Sequence, residues 1–399
     1  MNVNATAVAT SEFSRVVRFV WEELKPRGTW LTPFNVISIP TMLLGLVILY
    51  FRFVDGIGSV TNLNQYYPLG IWIGFDVVTG VALAGGAYVI TFVVYVMKME
   101  KYHSIVKVTV LNGLLAYVFY AGALTLDLGR PWHMVNPIIG NSFGYNSVLF
   151  LVSWHFLLYM LTMAVEFSPV VAEWAQLERV RKFLSSLTVA AVILGITLSI
   201  LHQSGLGALF LMAKPKIHPL WYSEFIPLLF FVSSIYAGLS MIIFEGTISH
   251  VVFKNLIGGD HRKYEEIILG LGKGAAITMF VYYFFQALVF IHEKRWQLIT
   301  DAWGYWYLIE VIGFLLVPCF MYAYAVRNRN LAIIKVAAVL ALMGIVLNRL
   351  NVTVIAYRWY DVDKYYPSWQ EIVVTLMVVF TEIWVFRWVV TRMPVFSKK

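Results

Sequence analysis

Ionisable residues inside long apolar segments are the feature of this sequence that points to chemistry. Asp76 and His202 each fall in such a segment and Asp127 directly follows one, and all three lie toward the ends that would face the same side of a membrane. A charge inside a bilayer costs several kcal/mol, so an intramembrane carboxylate or histidine indicates a functional site. Asp76 must be paired, hydrogen-bonded or neutral at this depth, which leaves a ligand or proton role and a structural pair as alternatives.

His202 and Gln203 together offer hydrogen-bond donors and acceptors that suit the two carbonyl oxygens of a quinone. Histidine titrates near neutral pH and can deliver the protons that quinone reduction consumes. A satisfied core histidine is the alternative. Arg130 and His133 follow Asp127 in the stretch DLGRPWH. This cluster suits redox-coupled proton exchange, or else it is a helix end with a weak surface ion pair.

Four other residues complete the candidate set. Tyr222 and Glu224 lie at the start of an apolar segment, at the same outer depth as His202. Glu166 and Glu245 lie near the inner ends of their segments, where two carboxylates would start a proton route toward the outer site. Pairing with Arg or Lys at a helix end is the alternative. No role is predicted for two lone carboxylates, Glu310 and Glu382.

The composition is that of a membrane protein. It is 60% hydrophobic and only 13% charged, about half the charged fraction of soluble domains. A membrane-spanning helix needs roughly 20 mostly apolar residues, and no ten-residue alternating runs typical of membrane strands occur. The ten predicted helices cover residues 34–54, 69–97, 105–126, 146–168, 183–204, 222–253, 267–291, 304–326, 331–349 and 369–391.

The basic residues predict the orientation. If the N-terminus is inside, 21 of the 30 Lys and Arg residues fall on inside segments, as the positive-inside rule requires. Both termini are therefore predicted to be cytoplasmic, and the net charge of +8 is a topology signal that does not indicate nucleic-acid binding. Residues 1–33 lack a cleavable signal, and residues 11–24 predict an amphipathic helix on the membrane surface.

Cys319 is the only cysteine. An iron–sulfur cluster generally needs four cysteine ligands, so this chain is expected to bind none, and electrons would arrive from a partner or through a haem. Of the eight histidines, only His155 is predicted near mid-membrane and His202 lies several residues nearer the outside. A single haem between these two is an alternative that their unmatched depths disfavour.

We expect an all-α polytopic membrane protein with two four-helix bundles, helices 2–5 and 6–9, and two peripheral helices, 1 and 10. The predicted domain division is a cytoplasmic segment 1–33, a transmembrane domain 34–392 and a cytoplasmic tail 393–399. The transmembrane domain contains the stretches PLGIWIGFDVVTGVALAGGAY, LTLDLGR, NSVLF, AVEFSP, LHQSGLGALF, KIHPLW and IIFEG. Together they resemble the NrfD/polysulfide-reductase membrane-subunit family, most of all its HybB-type, ten-helix hydrogenase and menaquinone-reductase members.

This resemblance implies a quinone-reactive subunit of the bacterial inner membrane with no haem or metal of its own. Menaquinone would be the non-covalent cofactor. Partners would be an extracytoplasmic, ferredoxin-like iron–sulfur subunit with several clusters and a further catalytic or cytochrome subunit. By the family pattern the site residues are Asp76, Asp127, Arg130, His202, Gln203 and Glu245, to which location adds His133 and Glu166. The alternatives are an ion or solute transporter, whose polar residues typically lie at the midplane, and a b-type cytochrome anchor.

Overall fold

The computed structural model describes residues 19, 21–25, 31–140, 144, 146–257 and 261–396. The protein is 80% helical. Within the described residues there is no β-strand, and the only extended pairing is an isolated bridge between Ile217 and Tyr357. The predicted all-α class is therefore confirmed.

Ten helices of the described chain are long and apolar enough to cross a membrane, as predicted. Short helical turns at Ile57–Ser59, Pro131–Val135, Asn136–Ile139 and Arg295–Leu298 lie in the connections. The helices are α1 Pro33–Val54, α2 Trp72–Val96, α3 Glu100–Asp127, α4 Val148–Trp174, α5 Glu178–Ala213, α6 Ile226–Val252, α7 Arg262–His292, α8 Ala302–Arg327, α9 Leu331–Ile355 and α10 Trp369–Arg392. We call the face where α1 begins and α10 ends the terminal face, and the opposite one the distal face.

The helices pack as two four-helix bundles. α2, α3, α4 and α5 form the first, and α6, α7, α8 and α9 form the second. The bundles meet where α6 contacts α2 and α5. α1 packs on α10, which in turn contacts α3 and the start of α2. This is the arrangement expected from the sequence, with helices 1 and 10 outside both bundles.

Two glycines allow the bundles to approach closely. A Cβ atom on Gly238 of α6 would lie 2.1 Å from the backbone nitrogen of Gly86 in α2. No side chain fits at that distance, so the two helices cross backbone to backbone, as small residues permit in membrane helices. The crossing fixes α2 against the second bundle.

One π-helical stretch, Phe92–Val96, lies at the terminal end of α2, and three others lie nearer the distal face. They are Trp72–Thr79 at the distal start of α2, Ile309–Leu316 in α8 and Asn351–Ile355 at the distal end of α9. These stretches carry Asp76, Glu310 and Asn351 respectively. π-helical turns inside α-helices are frequent at functional sites, and all three lie toward the distal face.

The described residues nearest to both chain ends pack at the terminal face. Most of the predicted amphipathic helix, including Phe13, Val16, Val17 and Val20, lies outside the described residues. The ring of Phe19 lies 4.9 Å from that of Trp174 at the end of α4, and Arg392 donates a 2.7 Å hydrogen bond to the carbonyl of Lys25. At the other end Val395 is buried, so part of the predicted tail packs on the helices.

Candidate functional site

Asp76 lies four residues into α2, in its π-helical first part. Its side chain is 1% exposed, and Thr375 on α10 donates a 3.0 Å hydrogen bond from its hydroxyl to Oδ2. Oδ1 is buried and has no hydrogen-bond partner among the described residues. Leaving a buried polar atom unpaired costs free energy, so this oxygen is available to a bound molecule.

A cavity of about 750 Å³ opens beside Asp76. Residues of α1, α2, α3, α6 and α10 line it, so it lies outside the interior of either bundle. It extends from Phe75 and Asp76 to Thr32, Phe253 and Arg387 at the terminal face. Its wall is mainly apolar, and its size falls within the roughly 300–1,000 Å³ of small-molecule sites.

Three carboxylates, Asp76, Glu382 and Glu245, line the cavity at different depths. With a rise of about 1.5 Å per residue, Glu382 lies about 15 Å from the terminal end of α10 and Glu245 about 10 Å from that of α6. Asn112 of α3 donates a hydrogen bond to Oε2 of Glu245. The structure thus brings Glu245 to the same cavity as Asp76 and adds Glu382, for which the sequence predicted no role.

Tyr120 of α3 forms part of the same wall. A Cβ atom on Gly80, one turn after Asp76 on α2, would lie 2.2 Å from Cζ of this tyrosine. Only glycine leaves room there for the phenol ring. Gly80 therefore allows a polar ring to reach the cavity wall between Asp76 and the deeper carboxylates.

Asp127 ends α3 at the distal face, where α1 meets it. Arg52 of α1 is 2% exposed and donates hydrogen bonds to the carbonyl oxygens of Leu126, at 2.8 Å, and Leu128. Asp127 Oδ1 is buried without a hydrogen-bond partner among the described residues. The basic residue at this helix end is therefore Arg52, which the sequence did not single out.

Arg130 and His133 are exposed on the distal face. The ring nitrogen Nδ1 of His133 lies 2.5 Å from the amide nitrogen of Asn136, and neither Arg130 nor His133 lines the Asp76 cavity. The predicted Asp127–Arg130–His133 cluster therefore divides into one half-buried carboxylate and two surface side chains.

His202 lies inside the first bundle. Its Nδ1 is 3.2 Å from the carbonyl oxygen of Val152, and its ring centroid is 5.6 Å from that of Tyr117 and 5.4 Å from that of Phe156. Nε2 is buried with no partner among the described residues. Gln203 donates a 2.8 Å hydrogen bond to the carbonyl of Val81, which ties α5 to α2.

The position of His202 differs from the expectation. The sequence predicted that its helix ends at residue 204, which would place His202 at the outer surface. α5 continues to Ala213, so His202 lies about 16 Å from the distal end of its helix. It does not line the cavity of Asp76, because its ring points between α3 and α4. The structure does not bring His202 and Asp76 to one pocket.

The remaining predicted residues also lie apart from the cavity. Tyr222 and Glu224 line a separate surface groove of about 410 Å³ on the distal face, where an oxygen of the exposed Glu224 lies 3.4 Å from the amine of Lys214. Glu166 of α4 has a buried Oε1 with no partner among the described residues, and it is not part of the cavity wall.

A buried charged network in the second bundle was not predicted. Glu310 accepts hydrogen bonds from Trp221 at 2.7 Å, Asn348 at 2.7 Å and Asn351 at 2.5 Å. Arg349 donates to Asn348 and to Ser233. One signal was available in the sequence, since Arg349 is an arginine at the end of an apolar segment and stands between two asparagines, Asn348 and Asn351.

His202, one of the two histidines considered for a haem, does not fit that group. Bis-histidine ligation needs a flat slot beside each imidazole, wide enough for the macrocycle. The rings of Tyr117 and Phe156 stack at 5.1 Å from each other and both contact His202, which fills this space. Separately, the described residues contain no group of three His, Cys, Asp or Glu side chains placed to hold a metal ion.

These features define a multi-pass α-helical membrane protein with a carboxylate-lined cavity in its membrane region. Residues 60–359 match the family model described as Polysulphide reductase, NrfD. The match covers most of the chain, and the protein belongs to the NrfD family, to which membrane subunits of oxidoreductase complexes belong.

Individual relatives agree with this assignment. The chain is 40% identical to a protein of Nitratidesulfovibrio vulgaris over 92% of this chain and 95% of the relative. It is 29% identical to the probable Ni/Fe-hydrogenase 2 b-type cytochrome subunit of Escherichia coli, over 90% and 93% of the two chains. It is 26% identical to the menaquinone reductase integral membrane subunit of N. vulgaris, over 84% of each.

Proposed function

We propose that this protein exchanges electrons between an extracytoplasmic iron–sulfur subunit and menaquinone or menaquinol in the bacterial cytoplasmic membrane. The iron–sulfur subunit would dock on the distal face, a further catalytic or cytochrome subunit would complete the complex, and both chain termini would be cytoplasmic. The similarity to a menaquinone reductase membrane subunit supports the choice of quinone.

The observation that carries this proposal is the free oxygen of Asp76 on the wall of the cavity. Oδ1 has no partner among the described residues, while Thr375 holds Oδ2. Asp76 lies about 6 Å from the distal end of α2, close to the face where electrons would arrive. A quinone ring at this end of the cavity would place a carbonyl oxygen against Asp76, with apolar wall around the rest of the ring.

Asp76 has two roles in this proposal. It would fix one carbonyl oxygen through a hydrogen bond, and it would exchange the proton that accompanies each electron. Quinone reduction takes up two electrons and two protons, and a carboxyl group in direct contact with the carbonyl oxygen suits general acid–base catalysis. The electrons would come from the iron–sulfur partner, since this chain holds one cysteine.

The other predicted residues remain part of the proposal, with separate roles. His202 would act inside the first bundle, where its free Nε2 is a second buried proton-accepting atom. Asp127 would set the local field at the distal face together with Arg52. Arg130, His133, Tyr222 and Glu224 lie on the distal surface, where they are accessible to the partner subunit.

The identity of the complex is tested by extracting it from its native membrane in mild detergent and identifying its subunits and bound lipids by mass spectrometry. A co-purifying protein with several iron–sulfur clusters, together with bound menaquinone, would support the proposal. A protein that purifies alone and without quinone would contradict it and would favour the transporter alternative.

The role of Asp76 is tested by Asp76→Asn in the complete complex, assayed for electron transfer to a menaquinone analogue. We expect loss of about 100-fold or more in turnover with normal assembly. The control is Asp55→Asn, the same change at an exposed carboxylate after α1, which should retain wild-type turnover. Full turnover in an assembled Asp76→Asn complex would remove Asp76 from the mechanism. His202→Leu is tested in the same way.

A further inference from the structure

One face of α10 forms a stripe along the cavity that includes two polar side chains, Thr375 and Glu382. Thr375, Val379, Glu382 and Phe386 follow at intervals of four, three and four residues, and residues at this spacing share one face of an α-helix. Thr375 donates its hydrogen bond to Asp76, and the other three line the cavity. Glu382 therefore lies on the same wall as Asp76, about 10 Å closer to the terminal face.

The opposite wall supplies a second carboxylate. Glu245 of α6, held by the amide of Asn112, lines the cavity nearer the terminal face than Glu382 does. The terminal end of the cavity is polar, since Arg387 and Thr32 line it and Arg387 donates a 3.2 Å hydrogen bond to Asn35. Carboxylates thus occur at successive depths between the terminal face and Asp76.

An independent observation indicates that this stripe leads to a site of proton exchange. Asp76 is 1% exposed, its Oδ1 lacks a partner among the described residues, and it lines the same cavity as Glu382. The cavity volume of about 750 Å³ far exceeds the roughly 10–15 Å³ that one ordered water needs. It can hold a quinone ring at the Asp76 end and water molecules below it.

We propose that Glu382 is a proton-carrying residue that links the terminal face, through Glu245 and cavity water, to Asp76. This inference rests on the proposed quinone chemistry at Asp76. For each quinone reduced, two electrons enter from the iron–sulfur partner and two protons enter from the terminal face. Glu382 gives a proton toward Asp76 and regains one from the Glu245 side, so it is unchanged after each turnover.

This route departs from the one expected from the sequence. Glu166 and Glu245 were the predicted pair, but Glu166 lies on α4 and does not line the cavity. Glu382 takes its place, because α10 lies against α2 and α3 from outside the first bundle. In the predicted orientation the terminal face is cytoplasmic. Because electrons then enter from one side and protons from the other, quinone reduction generates a membrane potential.

The test uses the complete complex reconstituted in liposomes, with quinone reduction and membrane potential measured together. Glu382→Gln keeps the side-chain size and removes the exchangeable proton, and we expect a fall of about 100-fold in turnover. Glu382→Asp keeps a carboxyl group and should restore most of it. Thr381→Val is the control, because Thr381 bonds within its own helix to Met377 and does not line the cavity.

The outcomes separate this inference from the function it rests on. A wild-type complex that reduces no quinone overturns the proposed function. If the wild-type complex reduces quinone and the Glu382→Gln complex retains full turnover and full membrane potential, only the role of Glu382 is overturned. Loss in Glu382→Gln with recovery in Glu382→Asp supports it, whereas equal losses in both variants indicate a structural requirement and overturn it.

A second measurement requires no variant and so covers the case in which Glu382→Gln does not assemble. The wild-type complex is treated with dicyclohexylcarbodiimide, which modifies carboxyl groups in apolar surroundings, and the labelled peptides are identified by mass spectrometry. We expect quinone reduction to fall in proportion to modification of Glu382. Complete modification of Glu382 with unchanged quinone reduction would overturn the proposal.

Discussion

Thr375 on α10 donates a 3.0 Å hydrogen bond to Asp76 on α2, which joins a helix outside both bundles to the buried carboxylate of the cavity. The bond engages Oδ2 of Asp76, whereas Oδ1 has no hydrogen-bond partner among the described residues. It also sets the rotation of α10, so that Glu382 faces the same cavity. The pairing therefore positions two candidate functional groups at once.

We predict that Thr375→Val lowers quinone turnover by about 10-fold or more. Hydrogen bonds to charged groups contribute about 1.5–3 kcal/mol, and without the hydroxyl Asp76 loses its one side-chain hydrogen-bond partner among the described residues. Thr375→Ser retains the hydroxyl and should remain close to the wild type. Steady-state electron transfer in the purified complex measures both. Equal activity of the Val and Ser variants would show that this bond does not position Asp76.

The crossing of the two bundles predicts a strong effect of Gly238→Leu. A Cβ atom at residue 238 would lie 2.1 Å from the nitrogen of Gly86, so α6 must move away from α2. We expect loss of the folded protein in detergent, seen as aggregation in size-exclusion chromatography. Gly246→Ala on the same helix is the control, because nothing lies within 4 Å of its added Cβ atom. Similar behaviour of the two variants would contradict the close crossing.

The network around Arg349 predicts a large effect on stability. Arg349 is 1% exposed, its guanidinium lies 3.6 Å from the ring centre of Phe230, and Asn348 connects it to Glu310. Arg349→Met removes the positive charge that Asn348 links to Glu310, and losing one charged member of a buried network costs about 3–5 kcal/mol. Thermal unfolding in detergent measures this.

Two further variants refine that test. Arg327→Met, at the exposed terminal end of α8, should lie within about 0.5 kcal/mol of the wild type. The double variant Glu310→Gln with Arg349→Met should be more stable than Arg349→Met alone, since it removes the unpaired charge. If the loss of stability in the double variant equals the sum of the losses in Glu310→Gln alone and Arg349→Met alone, the two residues do not interact.

His218 predicts how stability depends on pH. It lies on the distal face between α5 and α6, with Trp303, Trp359 and Trp221 at ring distances of 5.4, 4.7 and 5.6 Å. Burial lowers the pKa of His218 from 6.5 to about 4. The unfolded chain therefore binds a proton at this histidine below about pH 6.5, whereas the folded protein does so only near pH 4. As the pH is lowered through this interval, the free energy of unfolding decreases.

His218→Phe should remove this part of the acid sensitivity while keeping an aromatic ring among the tryptophans. Melting temperatures of the complex between pH 7 and pH 4 measure it. His103→Gln, at an exposed position on the terminal face, is the control and should keep the wild-type dependence on pH. An unchanged pH dependence in His218→Phe would show that other groups cause the acid sensitivity.

The sequence by itself determined the class of fold and the number of helices. Ten apolar segments longer than a bilayer core leave few alternatives, and every backbone polar group must be satisfied within such a segment. The even helix number and the alternating polarity also led to the expectation of two bundles, and α2–α5 and α6–α9 pack in that way. Asp76 and Glu245 were identified as candidates because a carboxylate is costly in lipid.

Only the tertiary structure decided which of these groups share a cavity. Lipid and the interior of a bundle are equally apolar, so the sequence of a membrane helix does not reveal which of its faces points inward. For this reason His202 was expected beside Asp76, although its ring lies between α3 and α4. Glu382 was assigned no role, although its face of α10 lies on the cavity of Asp76. The rotation of each helix about its own axis, fixed by contacts such as Thr375 with Asp76, decides these positions.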